Sequence, residues 1–319
     1  MNAVDAKFLK MPGDGGNLLY ELVSRGRIAL VPEHLRTLRN LMWTSVSGHC
    51  PMTEAIRSGH LNTLPQKILR EAFFPVPEPK TQLRRQAPGL VWDALASSHK
   101  ILQLQPEFLR TLMAVKDPAA DNRTFLHVVA ERGKLHEIDG LVTDDMMTVK
   151  DARGRSPVHA ACEFRNIGNM PTRFLSEQNI SVPDETGKSP LFLLVSSGNI
   201  GIAESLKYLG DAITPAALKV MDINGETPMH YMSYYLNYLP NGAITLDGLM
   251  VEDNLGNTPL STFASIADHT NIALDPLLGM GIPEPYRAAF GKEWCDQDDL
   301  VTAGRNGLNL DNSAGLDLF

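Results

Sequence analysis

Histidine is a common zinc ligand, and His127, His159 and His230 stand at one matching position in three copies of a short motif. A row of imidazoles placed in this way would offer a metal site. Tyr20, Phe192 and Ser261 fill that position in other copies, which a shared metal site would not tolerate. A second chemistry is nucleophilic: Cys295 lies between Trp294 and Asp296, and His269 would be its base. No local signature of a cysteine enzyme surrounds either residue. The Gly13 to Gly16 stretch lacks the lysine and the hydroxyl that a phosphate-binding loop requires. Cys50, Cys162 and Cys295 are an odd, scattered set, which argues against a disulfide framework or a zinc site. No catalytic residue, no metal ligand and no cofactor is therefore assigned. The alternative function is a cysteine-dependent enzyme with its site in the C-terminal segment and repeats that recruit its substrate.

The elements that would position these groups recur along the chain. Asp151-Ala152-Arg153-Gly154-Arg155-Ser156-Pro157-Val158-His159 reads as a tight turn, a hydroxyl N-cap, a proline at the first helical position and a thin Ala-rich helix. The same grammar returns at Asp184 to Leu191, Asp222 to His230 and Asp253 to Leu260. With the residue at the proline position as a ruler, copies start at Leu18, Pro51, Val91, Phe125, Pro157, Pro190, Pro228 and Pro259, with separations of 33, 40, 34, 32, 33, 38 and 31. A glycine or its substitute follows eight residues later at Gly26, Gly59, His99, Gly133, Arg165 and Gly198, where the first helix of a pair should end.

Turn, Thr-Pro-Leu-His-like opening and a period of about 33 residues resemble the ankyrin repeat. The resemblance implies an all-α fold: an ankyrin-repeat solenoid of about seven to eight irregular helix-turn-helix repeats with a C-terminal cap, binding another protein through its concave face and turn tips. It also implies that the motif histidines bridge backbone groups of adjacent turns. The array is expected over residues 1–275 and a cap with an acidic tail over 276–319. The spacing of 40 predicts an insertion near 73–88, since Pro75, Pro77 and Pro79 stop the helix before them; Lys80 to Ala87 is expected as a surface loop carrying Lys80, Arg84 and Arg85. The spacing of 38 predicts about five inserted residues between Ile202 and Val220, with Thr214-Pro215 starting an extra helical turn. Tyr286 to Trp294 is expected to be the helical cap, and Gly304 to Phe319 a flexible tail.

Hydrophobic residues at 43% and charged residues at 21% are ordinary for a folded chain, so wholesale disorder is excluded. Residues 1 to 116 carry 15 Lys/Arg against 9 Asp/Glu, or +6, which leaves 14 against 28, or −14, for the remainder of a chain of net charge −8. That acidic remainder argues against nucleic acid as the main ligand. No run of about 18 apolar residues is present to enter a membrane, and Met1 to Lys10 lacks a signal-peptide core, so folding in a cytosol is expected, as a cytoplasmic monomer. Irregular arrays of this kind are similar to bacterial ankyrin proteins, including effectors delivered to host cells, in which case the Gly315 to Phe319 end would serve export.

The residues expected to bind the partner come from the same register. Tyr231, Tyr234, Tyr235 and Tyr238 hold four of the seven tyrosines of the chain, and Tyr234 and Tyr235 match the end of a first helix, which ankyrin repeats turn toward the ligand. Phe164 and Arg132 match that position in other copies, and Arg153 and Arg155 lie at a turn tip. Arginine and aromatic side chains dominate interface energetics, so these six form the expected contact set.

Overall fold

The computed structural model describes residues 12–13, 16–44, 50–76, 81–198, 201–267, 274–291, 294–299 and 301–302. They fall in two compact units, Met1–Phe174 and Leu175–Phe319. The fold is the expected all-α repeat array. In the first unit the helices Leu18–Ser24, Pro51–Ser58, Gln82–Ser97, Phe125–Glu131 and Pro157–Glu163 pack in series, each against the next. In the second, Pro190–Ser196, the short 3-10 turn Pro228–Tyr231 and Pro259–Ala267 do the same. Return segments are short and partly 3-10, among them Gln66–Phe73, Pro106–Ala114 and Ile202–Leu209.

Local chemistry explains the periodicity. Each first helix ends on a reversal, and Gly26, Gly59, Gly133, Gly198 and also Arg165 (φ 57°) take left-handed backbone there. Ten residues after the start of a copy an aliphatic side chain drops into the core: Ile28, Leu61, Ile101, Leu135 and Ile167 are all buried. Ile101 keeps this spacing from Val91, where the motif itself is worn away and the helix already starts at Gln82. Trp92 anchors that copy: it is fully buried, stacks edge-on against Phe125 (6.1 Å between centroids) and donates from Nε1 to the Phe73 carbonyl at 2.8 Å.

Each turn is closed by its leading aspartate. Asp151 Oδ1 accepts from the backbone N–H of Arg153 (2.8 Å) and of Arg155 (2.9 Å), while its own N–H donates to the Arg155 carbonyl. Asp184, Asp222 and Asp253 repeat the arrangement. Neighbouring turns are tied in a ladder, Ala152 N–H to Asp121 O in the first unit, Ile223 N–H to Thr186 O and Asn254 N–H to Asn224 O in the second. The histidines cap the helices that follow. His127, His159 and His230 Nδ1 accept from the N–H of Thr124, Ser156 and Thr227 at 3.0–3.1 Å, and those hydroxyls accept from the histidine N–H. Thr258 and Ser261 exchange the same pair of bonds without a histidine.

Three expectations need correction. The surface loop at Lys80 to Ala87 is helical from Gln82, because Gln82 to Ala87 is a run of good helix formers and Ala87 and Pro88 are buried beneath it. Lys80 and the side chain of Arg84 lie outside the described residues. The first helix of the Pro228 copy ends at Tyr231, so Tyr234 and Tyr235 sit beyond it in a turn. Aromatic residues lose rotamer freedom in a helix, and Tyr231 is drawn aside to Glu226 (2.9 Å) and the Phe192 ring. The helical run expected from Tyr286 to Trp294 is broken at Gly291 (φ 86°) into Glu284–Arg287, Ala288–Phe290 and a further helix from Trp294. Its parts nonetheless pack on Pro259–Ala267, and Trp294 stacks on Phe290 and donates to Leu274 O. Near Thr214 the chain forms the short 3-10 turn Ala217–Lys219, with Thr214 Oγ1 accepting from Ala217 N–H. The tail from Gly304 to Phe319 lies outside the described residues.

Candidate functional site

Three of the six expected contact residues meet in the first unit. Arg153, Arg155 and Phe164 line one cleft of about 210 Å³ together with Asp121, Arg123, Asp151 and Glu163. Its walls are successive turns and the end of a helix. The antiparallel pair Lys116–Asp117 and Arg123–Thr124 brings the chain back through Asp121 and Asn122, both left-handed. The next turn, closed by Asp151, presents Arg153 and Arg155, and the Pro157–Glu163 helix ends at Phe164, which is half exposed.

The charges are arranged in register. Arg123 and Glu131 stand at the same places in their copy as Arg155 and Glu163 do in the next, and each arginine is paired with the glutamate eight residues on, Arg155 at 2.9 Å. Arg153 pairs with Asp121, its counterpart in the preceding turn, at 3.2 Å. His127 forms the floor. Its Nδ1 accepts a backbone N–H, so the proton is on Nε2, which donates to the Arg155 carbonyl at 2.9 Å. Burial drives its pKa down to about 4, against the opposing pull of the Arg155 carbonyl and the Asp151 charge. The ring therefore pins the next turn as a neutral strut, as the ankyrin resemblance implies. His230 Nε2 reaches the next turn at the same place, 3.4 Å from Asn257 O.

The other expected contacts lie elsewhere. Arg132 crosses to Asp93, its Nε at 2.8 Å, and Asp93 lines a second cleft with Arg57, Leu90 and Ser97. Tyr234, in the second unit, is 57% exposed and Tyr235 half-buried. Tyr238 is exposed beneath the Lys207 ammonium, 5.5 Å from its ring centroid. Asp121, Arg123 and the role of Asp151 were missed by sequence reasoning. The signal was there: an Arg/Glu pair at one offset in two successive copies, and an aspartate opening four turns.

Cys162 is fully buried, which pushes its thiol up to about 12 and keeps it from becoming a thiolate. Cys50 donates to Leu41 O at 3.2 Å and Cys295 to Arg287 O at 3.3 Å. His269 lies outside the described residues. No helix among the described residues is long and apolar enough to cross a membrane.

No protein-family model matches the chain. Among solved structures it is similar to the ankyrin repeat domain of Bcl-3, a member of the IkappaB protein family, at 16% identity over 78% of this chain and 95% of that one, with a TM-score of 0.41. At that score the likeness carries no argument. The ankyrin-repeat fold rests on the turn ladder, the histidine caps and the serial helix packing.

Proposed function

We propose that this ankyrin-repeat protein is a non-catalytic interaction module that binds a partner protein through turn tips and first-helix ends. The observation that carries the reading is the convergence of Arg153, Arg155 and Phe164 on one cleft, with the ring of Phe164 half exposed beside paired charges. An aromatic ring and arginines around a concavity are the chemistry of an interface hot spot. Tyr234 and Tyr235 form a second contact, and Arg132 a third. An effector that acts on a host protein is the finer form of this proposal, supported if the captured partner comes from host rather than parent-cell lysate.

The test is capture of a partner from both lysates by the full chain, beside Phe164→Ala and a Tyr234→Ala, Tyr235→Ala double variant, each checked for native circular dichroism. The expected result is a partner retained by the native chain and lost, or weakened by more than about tenfold, with Phe164→Ala. Retention undiminished by every variant removes these surfaces as the binding face.

A further inference from the structure

We infer that the turns at Asp222 and Asp253, in the second unit, form an apolar ridge with an acidic rim that takes a partner segment whose apolar side chains are flanked by lysine or arginine; this rests on the protein-binding reading above. The ridge consists of large apolar side chains where the turn has no use for them. The two positions after the closing aspartate hold Ala152 and Arg153 in one turn and Glu185 and Thr186 in another, with the same aspartate bonds. At those positions the next two turns carry Ile223 with Asn224, and Asn254 with Leu255, again with those bonds. Ile223 is 69% exposed and Leu255 87%. Their side chains neither close the turn nor enter the core, so folding does not account for them.

The two tips stand side by side. Asn254 N–H donates to Asn224 O at 2.9 Å and Asn254 Nδ2 to Ile223 O at 3.0 Å, which ties one turn to the other. Met221, also exposed, leads into the first of them. Single apolar residues on a surface are ordinary, whereas apolar tips on bonded neighbouring turns mark a contact surface. Charge selects what covers it. Residues 182–188, 220–226 and 251–257 carry six carboxylates, among them the exposed Glu185 and Glu252, against Lys188 alone, a net charge of −5. The turns of the first unit, 116–123 and 150–155, have the opposite sign, with five bases against three acids. They make a poor partner from a second copy, because Arg153 and Arg155 are already paired with Asp121 and Glu163. An acidic segment or an anionic lipid surface is repelled by the same field. A segment with apolar anchors and basic flanks gains from both the ridge and its rim.

The experiment is a nuclear magnetic resonance titration of the isotope-labelled full chain with three acetylated peptide amides at up to millimolar concentration. The first has two leucines between blocks of three lysines, the second the same leucines between glutamate blocks, and the third two serines between the lysine blocks. The leucine–lysine peptide is expected to shift the amides of Ile223, Asn224 and Leu255 saturably, and the other two to bind at least about tenfold more weakly. Ile223→Ala combined with Leu255→Ala removes the exposed tips and leaves the turn bonds in place. It should weaken the leucine–lysine peptide about tenfold while amide positions elsewhere are preserved. Serine–lysine binding as tight as leucine–lysine, a preference for the glutamate peptide, or binding unchanged in the double variant overturns the inference. So does a concentration-dependent dimer in analytical ultracentrifugation that the double variant lacks, or cosedimentation with phosphatidylserine vesicles that it abolishes, since the ridge would then face a second copy or a membrane. Silence of the leucine–lysine peptide while lysate capture is still lost with Phe164→Ala overturns the inference and leaves the protein-binding reading standing. Silence in both removes both.

Discussion

His127 shows how one buried side chain holds the cleft in place. It accepts a bond from its own N-cap and donates one to Arg155 in the next turn, so its neutral form and a single tautomer are required. Its pKa in the folded chain is lowered to about 4, first by burial, against 6.5 ordinarily. The unfolded chain therefore takes up the proton first as pH falls. The stabilisation is complete above about pH 6.5 and is lost between there and about pH 4, at up to about 1.4 kcal/mol per pH unit. Urea unfolding between pH 7 and 4.5 should show this slope, and His127→Gln should flatten it; a ring carbon resonance of His127 that titrates near 6.5 would contradict the assignment. The histidine's place was legible from its recurrence. What it touches was not, because a letter in a motif does not say which carbonyl of the next turn lies 2.9 Å from Nε2.

At the scale of the element, the turns work because each one fits against its neighbour. Gly187 has φ +82°, and a Cβ there would lie 2.7 Å from Asp222 Cα and 2.7 Å from Met221 O, backbone atoms that cannot swing aside. Gly256 has nearly the same φ, +81°, and open space around it. Alanine at either site pays the left-handed backbone cost of about 1–2 kcal/mol. Gly187→Ala should lose substantially more stability than Gly256→Ala in chemical unfolding, and equal losses would mean that the adjacent turn gives way freely. Elements with strong local chemistry, Asp-x-x-Gly turns and Ser/Thr-Pro starts, were readable in advance. The helix from Gln82 was not, because the three prolines at 75, 77 and 79 point to a loop and the compensation comes from tertiary burial of Ala87, Pro88 and Trp92. The placement of Tyr234 and Tyr235 on a first helix failed in the same way: a register carried over from regular repeats cannot foresee that the helix ends at Tyr231, whose hydroxyl donates to Glu226.

Over the whole molecule, the charges that count for contact differ from those that count for approach. At the cleft the arginines are paired within hydrogen-bond distance, Arg153 with Asp121 and Arg155 with Glu163, so those charges are largely spent on one another. At long range a partner meets a net charge of −8, with −14 of it beyond residue 116 and +6 before it. A partner with a basic surface would be drawn in by that field, and such steering acts on the association rate. The Debye length is about 10 Å at 0.1 M salt and about 3 Å at 1 M, which removes the field while leaving a desolvated contact largely intact. Raising sodium chloride from about 0.05 to about 0.5 M should therefore slow association of the captured partner by tenfold or more, with a much smaller change in its dissociation rate, read by surface-immobilised kinetics. Association that is indifferent to salt would place the recognition in the apolar contacts of Phe164, Tyr234 and Tyr235; association that speeds up with salt would mean an acidic partner, held off by the same field.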